Sequence, residues 1–274
     1  MNNPLALSSI FFKEQTPEKW QEAAEAGITA AEISLGTWGQ FNNNPEIFLA
    51  EAQTQYKLIT KAGIKVCSFH LPFQIECFDV AGPDDVNAHR AVEIHKKIID
   101  WVIEKKIGIA VLHGGREPVP AAERNERFNR AKNSIKVLNE YIKNSCLILA
   151  VEVLPRTCLG NCAGELLELI DYGKNAKICF DVNHLLLESH KEFISKTANH
   201  IITTHFSDYD GIDEKHWIPG AGIINWKELI IMLKNSGYTG NFLFELQGTA
   251  KSNPKLNRDF NIKELTDSFI NAVR

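Results

Sequence analysis

Polar residues recur in this sequence at one kind of place, the end of a short apolar run. "IKVCSFHLP" closes on His70 and "IAVLHGG" on His113. "LILAVEVLPR" carries Glu152, "IITTHFSD" carries His205, and "FLFELQG" carries Glu245. "ICFDVNH" supplies Asp181, with His184 three residues later, and His216 follows in "KHWIPG". One such histidine or glutamate is most often a hydrogen-bonded structural residue. Brought together, three carboxylates would repel one another and leave buried charge unpaired. A divalent cation removes both costs, because carboxylate and neutral imidazole are its ordinary ligands. The residue types therefore point to a metal centre.

The elements that must carry these residues are legible as an alternation. Short β-branched or apolar runs predict strands near 4–10, 29–34, 65–70, 108–113, 147–153, 177–181, 201–206 and 241–246. Amphipathic segments at 16–27, 45–63, 83–108, 121–144, 163–172, 189–197, 226–236 and 262–273 predict helices between them. The first helix has Thr16 as N-cap, Pro17 at its first position and Gly27 beyond its end, with Lys19 where a capping box needs an acid. Eight strands alternating with eight helices imply a parallel sheet, and over 274 residues they match a (β/α)8 TIM barrel in one domain. An open doubly wound sheet is the alternative. It usually carries a glycine-rich phosphate loop after its first strand, where this chain has "SSIFFKEQ". In a barrel, the C-terminal strand ends, and so all the residues above, share one mouth.

Bulk properties narrow the function classes. The chain is 44% hydrophobic and 23% charged with a net charge of −4, which argues against nucleic acid as a partner. No apolar run reaches membrane-spanning length, and the first residues do not read as a signal peptide, so a cytoplasmic protein is expected. Six cysteines, with Cys158 and Cys162 in a lone C-x3-C, fit free thiols better than a zinc knuckle. Several polar residues remain open. Glu32 either faces the mouth or makes a structural ion pair. Asp208 either fixes its loop or orients His205. Arg116 and Arg156 either meet an anionic substrate group or take a helix-capping or surface role. Trp38, Phe41 and Trp217 either stack on a ring or simply pack.

Taken in order, "FHLP", "LHGG", "VEVLPR", "FDVNH", "THFSD", "HWIPGAGIINW" and "LFEL" resemble the xylose-isomerase-like barrel superfamily. That superfamily includes sugar and sugar-phosphate isomerases and epimerases and zinc-dependent apurinic-site endonucleases. In the epimerase branch, the resemblance implies one divalent ion (Mn2+, Zn2+, Co2+ or Mg2+) on Glu152, Asp181, His205 and Glu245. It implies Glu152 and Glu245 as acid and base, and substrate contacts from His184 and His216, the latter where relatives often carry arginine. His70 and His113 line the entry side or hold a second metal. Asn225 replaces the aspartate that many relatives carry before Trp226, a change expected to touch helix capping. The endonuclease branch holds three zinc ions, with extra ligands matching His70, His113 and His184. Its D-x-H pair has only Glu214-Lys215-His216 as a counterpart here. The expected activity is isomerisation or epimerisation of a small sugar, keto-sugar or polyol through a metal-bound enediolate. An endonuclease and a non-catalytic sugar-binding barrel are the rivals. The apolar faces of the terminal helices suggest a homodimer.

Overall fold

The computed structural model describes residues 3–35, 44–171 and 175–274. Trp38 and Phe41 lie outside them. Eight strands run in chain order around a closed parallel barrel, β1 pairing with β8. They are β1 (Leu5–Ser8), β2 (Ile28–Ile33), β3 (Lys65–His70), β4 (Ile109–Leu112), β5 (Ile148–Glu152), β6 (Ala176–Asp181), β7 (Ile201–Phe206) and β8 (Phe242–Phe244). Helices α1 (Pro17–Glu25), α2 (Pro45–Lys61), α3 (Asp85–Glu104), α4 (Arg124–Tyr141), α5 (Ala163–Ile170), α6 (His190–Thr197), α7 (Trp226–Asn235) and α8 (Ile262–Ala272) alternate with them. The TIM barrel expected from the alternation is the fold.

Local signals set the helix starts. Thr16 accepts from the Lys19 amide at the head of α1, and Asn225 accepts from the Glu228 amide at the head of α7. The Asn225 change is thus a cap, as expected. Two helices fall furthest short of their amphipathic segments. Asp84 caps α3, which therefore starts inside 83–108, and the helix ends before Lys106, whose φ of 57° no α-helix accommodates. The segment 121–144 begins with a 3-10 turn, Ala121–Glu123, before α4.

Large side chains fill the space between strands and helices. Trp20, Phe48, Phe69, Phe180, Phe206, Trp226 and Phe269 are all fully buried there. The barrel interior instead holds small residues: Ala6, Ala30, Cys67 and Leu243 in one cluster, Val111, Ala150 and Cys179 in another. Side chains alternate faces along a strand. Two residues beyond these interior positions, the same inward face therefore presents Glu32, His113, Glu152, Asp181 and Glu245. The small residues form the floor, and the polar residues form the layer above it.

Candidate metal centre and active site

Register brings the layer together. Asp181 on β6 pairs directly with His205 on β7, and His205 pairs with Leu243 on β8, two residues before Glu245. The donor atoms of Glu152, Asp181, His205 and Glu245 all lie within 4.8 Å of one another, and all four residues are buried. His205 Nδ1 lies 2.9 Å from Glu152 Oε1, 3.2 Å from Glu245 Oε2 and 4.0 Å from Asp181 Oδ2. Its other nitrogen, Nε2, lies 3.2 Å from Glu32, a carboxylate with no exposed surface. Glu32 therefore holds the ring so that Nδ1 points at the three carboxylates, the arrangement by which an outer carboxylate orients a metal-bound histidine.

The set fits a divalent ion on its own chemistry. Asp181 Oδ2 is buried and makes no hydrogen bond. Three carboxylates and an imidazole suit Mn2+, Zn2+, Co2+ or Mg2+. Burial favours the neutral forms, yet the charges dominate. Burial opposes a charged His205, but the neighbouring thiol and carboxylates, Glu245 and Glu152 first among the latter, raise it well above the ordinary imidazole range. Burial would raise Glu245 too, but the His205 charge holds it down at about 2. Glu152 is likewise kept low by His205 and His113 against the cost of burial. Asp181 goes the other way, pushed up by burial to about 6.

The remaining histidines stand around this set. His70 Nε2 lies 3.1 Å from Glu152 Oε2 and its Nδ1 donates to the Leu71 carbonyl at 3.0 Å, so both ring nitrogens are engaged. His113 Nε2 reaches the same Glu152 oxygen at 3.0 Å, and its ring stacks on Phe73 with centroids 3.7 Å apart. His184 donates from Nδ1 to the Val153 carbonyl, and its Nε2 lies 2.9 Å from Glu214 Oε2. His216 adopts φ 48° and places Nδ1 3.1 Å from the Glu245 carbonyl. Asn183 makes this possible, since its side-chain oxygen accepts from the amides of Lys215 and His216 and draws the β7–α7 loop over the end of β6. Asn183 had no distinguishing signal in the sequence beyond its place between Asp181 and His184.

Other open readings now resolve. Asp208 fixes its loop: its carboxylate accepts from the amides of Tyr209, Gly220 and Ile224 and from the Trp226 indole. Orientation of His205 falls to Glu32 instead. Arg156 is not free for an anion, because it donates to Glu117, Asp213 and Glu214. Trp217 does not line the cavity above the metal set. That cavity has a volume of about 580 Å3 and exposes Glu152, Glu245, His70, His113, His184 and His216.

The sequence matches the family described as xylose isomerase-like TIM barrel over residues 20–269. The chain belongs to that family. Within it, the chain is 25% identical over 244 residues to an uncharacterised protein of Methanocaldococcus jannaschii, covering 85% of this chain and 80% of the other. It is 24% identical over 242 residues to the L-ribulose-5-phosphate 3-epimerase UlaE of Escherichia coli O157:H7, covering 86% and 84%. The D-psicose 3-epimerase structure from Clostridium cellulolyticum H10 has the same fold, at a TM-score of 0.77 and 16% identity, over 99% and 98% of the two chains. Among the described residues, no helix of this family member is long and apolar enough to cross a membrane.

Proposed function

We propose that this protein is a divalent-metal-dependent epimerase or isomerase of a small keto-sugar. The observation that carries the reading is the pair Glu152 and Glu245, both facing one cavity and both within 3.2 Å of the same His205 nitrogen. The sugar epimerases among the relatives support it. Glu152, Asp181, His205 and Glu245 would hold the ion, which supplies Lewis-acid polarisation of a carbonyl. One glutamate removes the proton from the carbon beside the carbonyl, and the electron pair of that C–H bond moves into an enediolate. The other glutamate returns a proton. Delivery to the opposite face of the same carbon epimerises, whereas delivery to the adjacent carbon, with the hydroxyl proton passing to the former carbonyl oxygen, isomerises. One glutamate must therefore be ionised and the other protonated, and because the neighbouring histidines hold both low in the free site, that proton has to be taken up together with the substrate. His184 and His216 would hydrogen-bond substrate hydroxyls, while His70 and His113 steady Glu152.

The test is exchange of solvent deuterium into a ketose such as L-ribulose or its 5-phosphate. Glu152→Gln and Glu245→Gln should each lower exchange by a factor on the order of 100–10,000 with unchanged circular dichroism. Near-normal exchange in either variant overturns the two-base scheme.

A second reading, a multi-zinc apurinic-site endonuclease, has one observation in its favour. Despite the change from aspartate to glutamate, donor atoms of Glu214, His184 and His216 lie within 4.8 Å of one another, as do those of His70, His113 and Glu152. His184 Nε2 is buried and lacks hydrogen-bond geometry to Glu214, as a site awaiting a cation would. Against it stand the net charge of −4 and a mouth rich in carboxylates. Metal analysis separates the two. One ion per chain supports the epimerase, whereas three ions with cleavage of abasic duplex DNA support the nuclease.

A further inference from the structure

The charges lining the cavity are unevenly spent. Four cationic side chains line it: Arg116, Arg156, Lys215 and Lys251. Arg156 is saturated, with Glu117 at 2.5 Å, Asp213 at 2.7 Å and Glu214 at 2.9 Å. Lys215 pairs with Asp210 at 3.4 Å. Arg116 also lines an adjoining hollow of about 230 Å3, beside Glu76, Asp79 and Glu117. Neither Arg116 nor Lys251 makes an ion pair among the described residues, but Lys251 stands on the cavity wall away from these carboxylates.

Its neighbours are neutral donors. Lys251 and Ser252 belong to the 3-10 turn Ala250–Ser252 after β8, Gln247 precedes that turn, and all three line the cavity. Ser252 is 5% exposed, and its hydroxyl makes no hydrogen bond among the described residues. Ser34, at the end of β2, lines the same cavity, and β8, β1 and β2 are consecutive around the barrel. The side at the ends of β4 and β5, where residues of the β7–α7 loop join them, gathers three carboxylates around one guanidinium and would repel an anion. The Ser252 hydroxyl and the Gln247 amide beside an unpaired ammonium form a donor set for phosphate oxygens. The cavity, at about 580 Å3, falls within the range of small-ligand pockets.

We infer that the β8–β2 side of the mouth is a phosphate subsite, and that the substrate is a phosphorylated ketose anchored by Lys251, Ser252 and Gln247. The inference rests on the epimerase reading for where the reacting carbons lie, beside Glu152 and Glu245. It places the phosphate away from the carboxylate cage and leaves the sugar hydroxyls to His184 and His216.

Calorimetric titration of L-ribulose 5-phosphate and L-ribulose into the metal-loaded protein tests it. The phosphate ester should bind at least about tenfold more tightly, a ratio typical of one charged hydrogen bond. In Lys251→Ala that advantage should vanish, with the affinity for L-ribulose unchanged. Ser252→Ala should lose part of it. Equal affinity for the two sugars, or a phosphate advantage that survives in Lys251→Ala, overturns the subsite. Absence of deuterium exchange into either sugar would instead count against the epimerase reading, so the two failures are separable.

Discussion

Glu32 shows how one buried carboxylate acts through another residue. It does not line the cavity, yet among the described residues it is the only acid paired with His205 Nε2. Without it, the imidazole could turn, and Nδ1 would lose its aim at Glu152, Asp181 and Glu245. Glu32→Gln is therefore expected to weaken metal affinity by about 10–100-fold, measured by competition with a chromophoric chelator. An affinity within twofold of wild type would show that the barrel alone fixes the ring. His70 and His113 illustrate a different balance. Both touch the same Glu152 oxygen, but burial wins at His113 and lowers its pKa, whereas at His70 the Glu152 contact outweighs burial and raises it to about 9.

The elements position these residues at measurable cost. The β7–α7 loop is built on Asp208, whose four donors include the Trp226 indole at 2.9 Å. Its turn also needs Gly222, where a Cβ would lie 2.0 Å from the Tyr209 carbonyl oxygen. Asp208→Ala strands four donors and should destabilise the fold by about 3 kcal/mol or more in urea unfolding. It should also weaken sugar binding, since the same loop carries His216. On the outer layer, His95 of α3 is fully buried and donates to the Phe78 carbonyl at 3.0 Å. Burial lowers its pKa from 6.5 to about 4. Because the folded value lies below the unfolded one, this contribution is intact above pH 6.5 and is lost as pH falls toward 4. Over that window the unfolded chain takes the proton and the folded chain does not. The gap corresponds to about 3 kcal/mol. His95→Gln, which keeps a donor, should lose less stability than wild type between pH 6.5 and 4 in pH-resolved urea melts.

The barrel as a whole is tied at its mouth by the same residues. The candidate ligands come from β5, β6, β7 and the end of β8, so an ion bound there links four strands that otherwise meet only through their ladders. A ligand that binds only the folded state stabilises it by about 2.7 kcal/mol at a concentration one hundred times its Kd. For a chain of this length that is on the order of 5 °C in melting temperature. Chelation should produce that drop, and restoring the ion should reverse it. An unchanged melting temperature with confirmed metal loss would argue that the four residues do not hold the ion.

Much of this molecule was written in local pattern. Alternating apolar runs and capped amphipathic segments identify eight βα units, and period-two alternation within strands is enough to place Glu152, Asp181 and Glu245 on an inward face. Short-range physics sets those features, so a single chain displays them. Strand bounds were less exact: β8 is only Phe242–Phe244, because pairing with its neighbours ends where the mouth opens. Relations between distant residues were not legible. Glu32 stands 173 positions from His205, Arg156 reaches Glu214 across 58, and Asn183 holds the backbone of His216 across 33. No local propensity encodes such pairs. Barrel closure and strand register create them, by bringing β2 opposite β7 and the loop after β5 against the loop after β7. The residue types of the candidate metal set could thus be read from the sequence, whereas its orientation, and the pairing of Arg156 with Glu117, Asp213 and Glu214, existed only once the chain was folded.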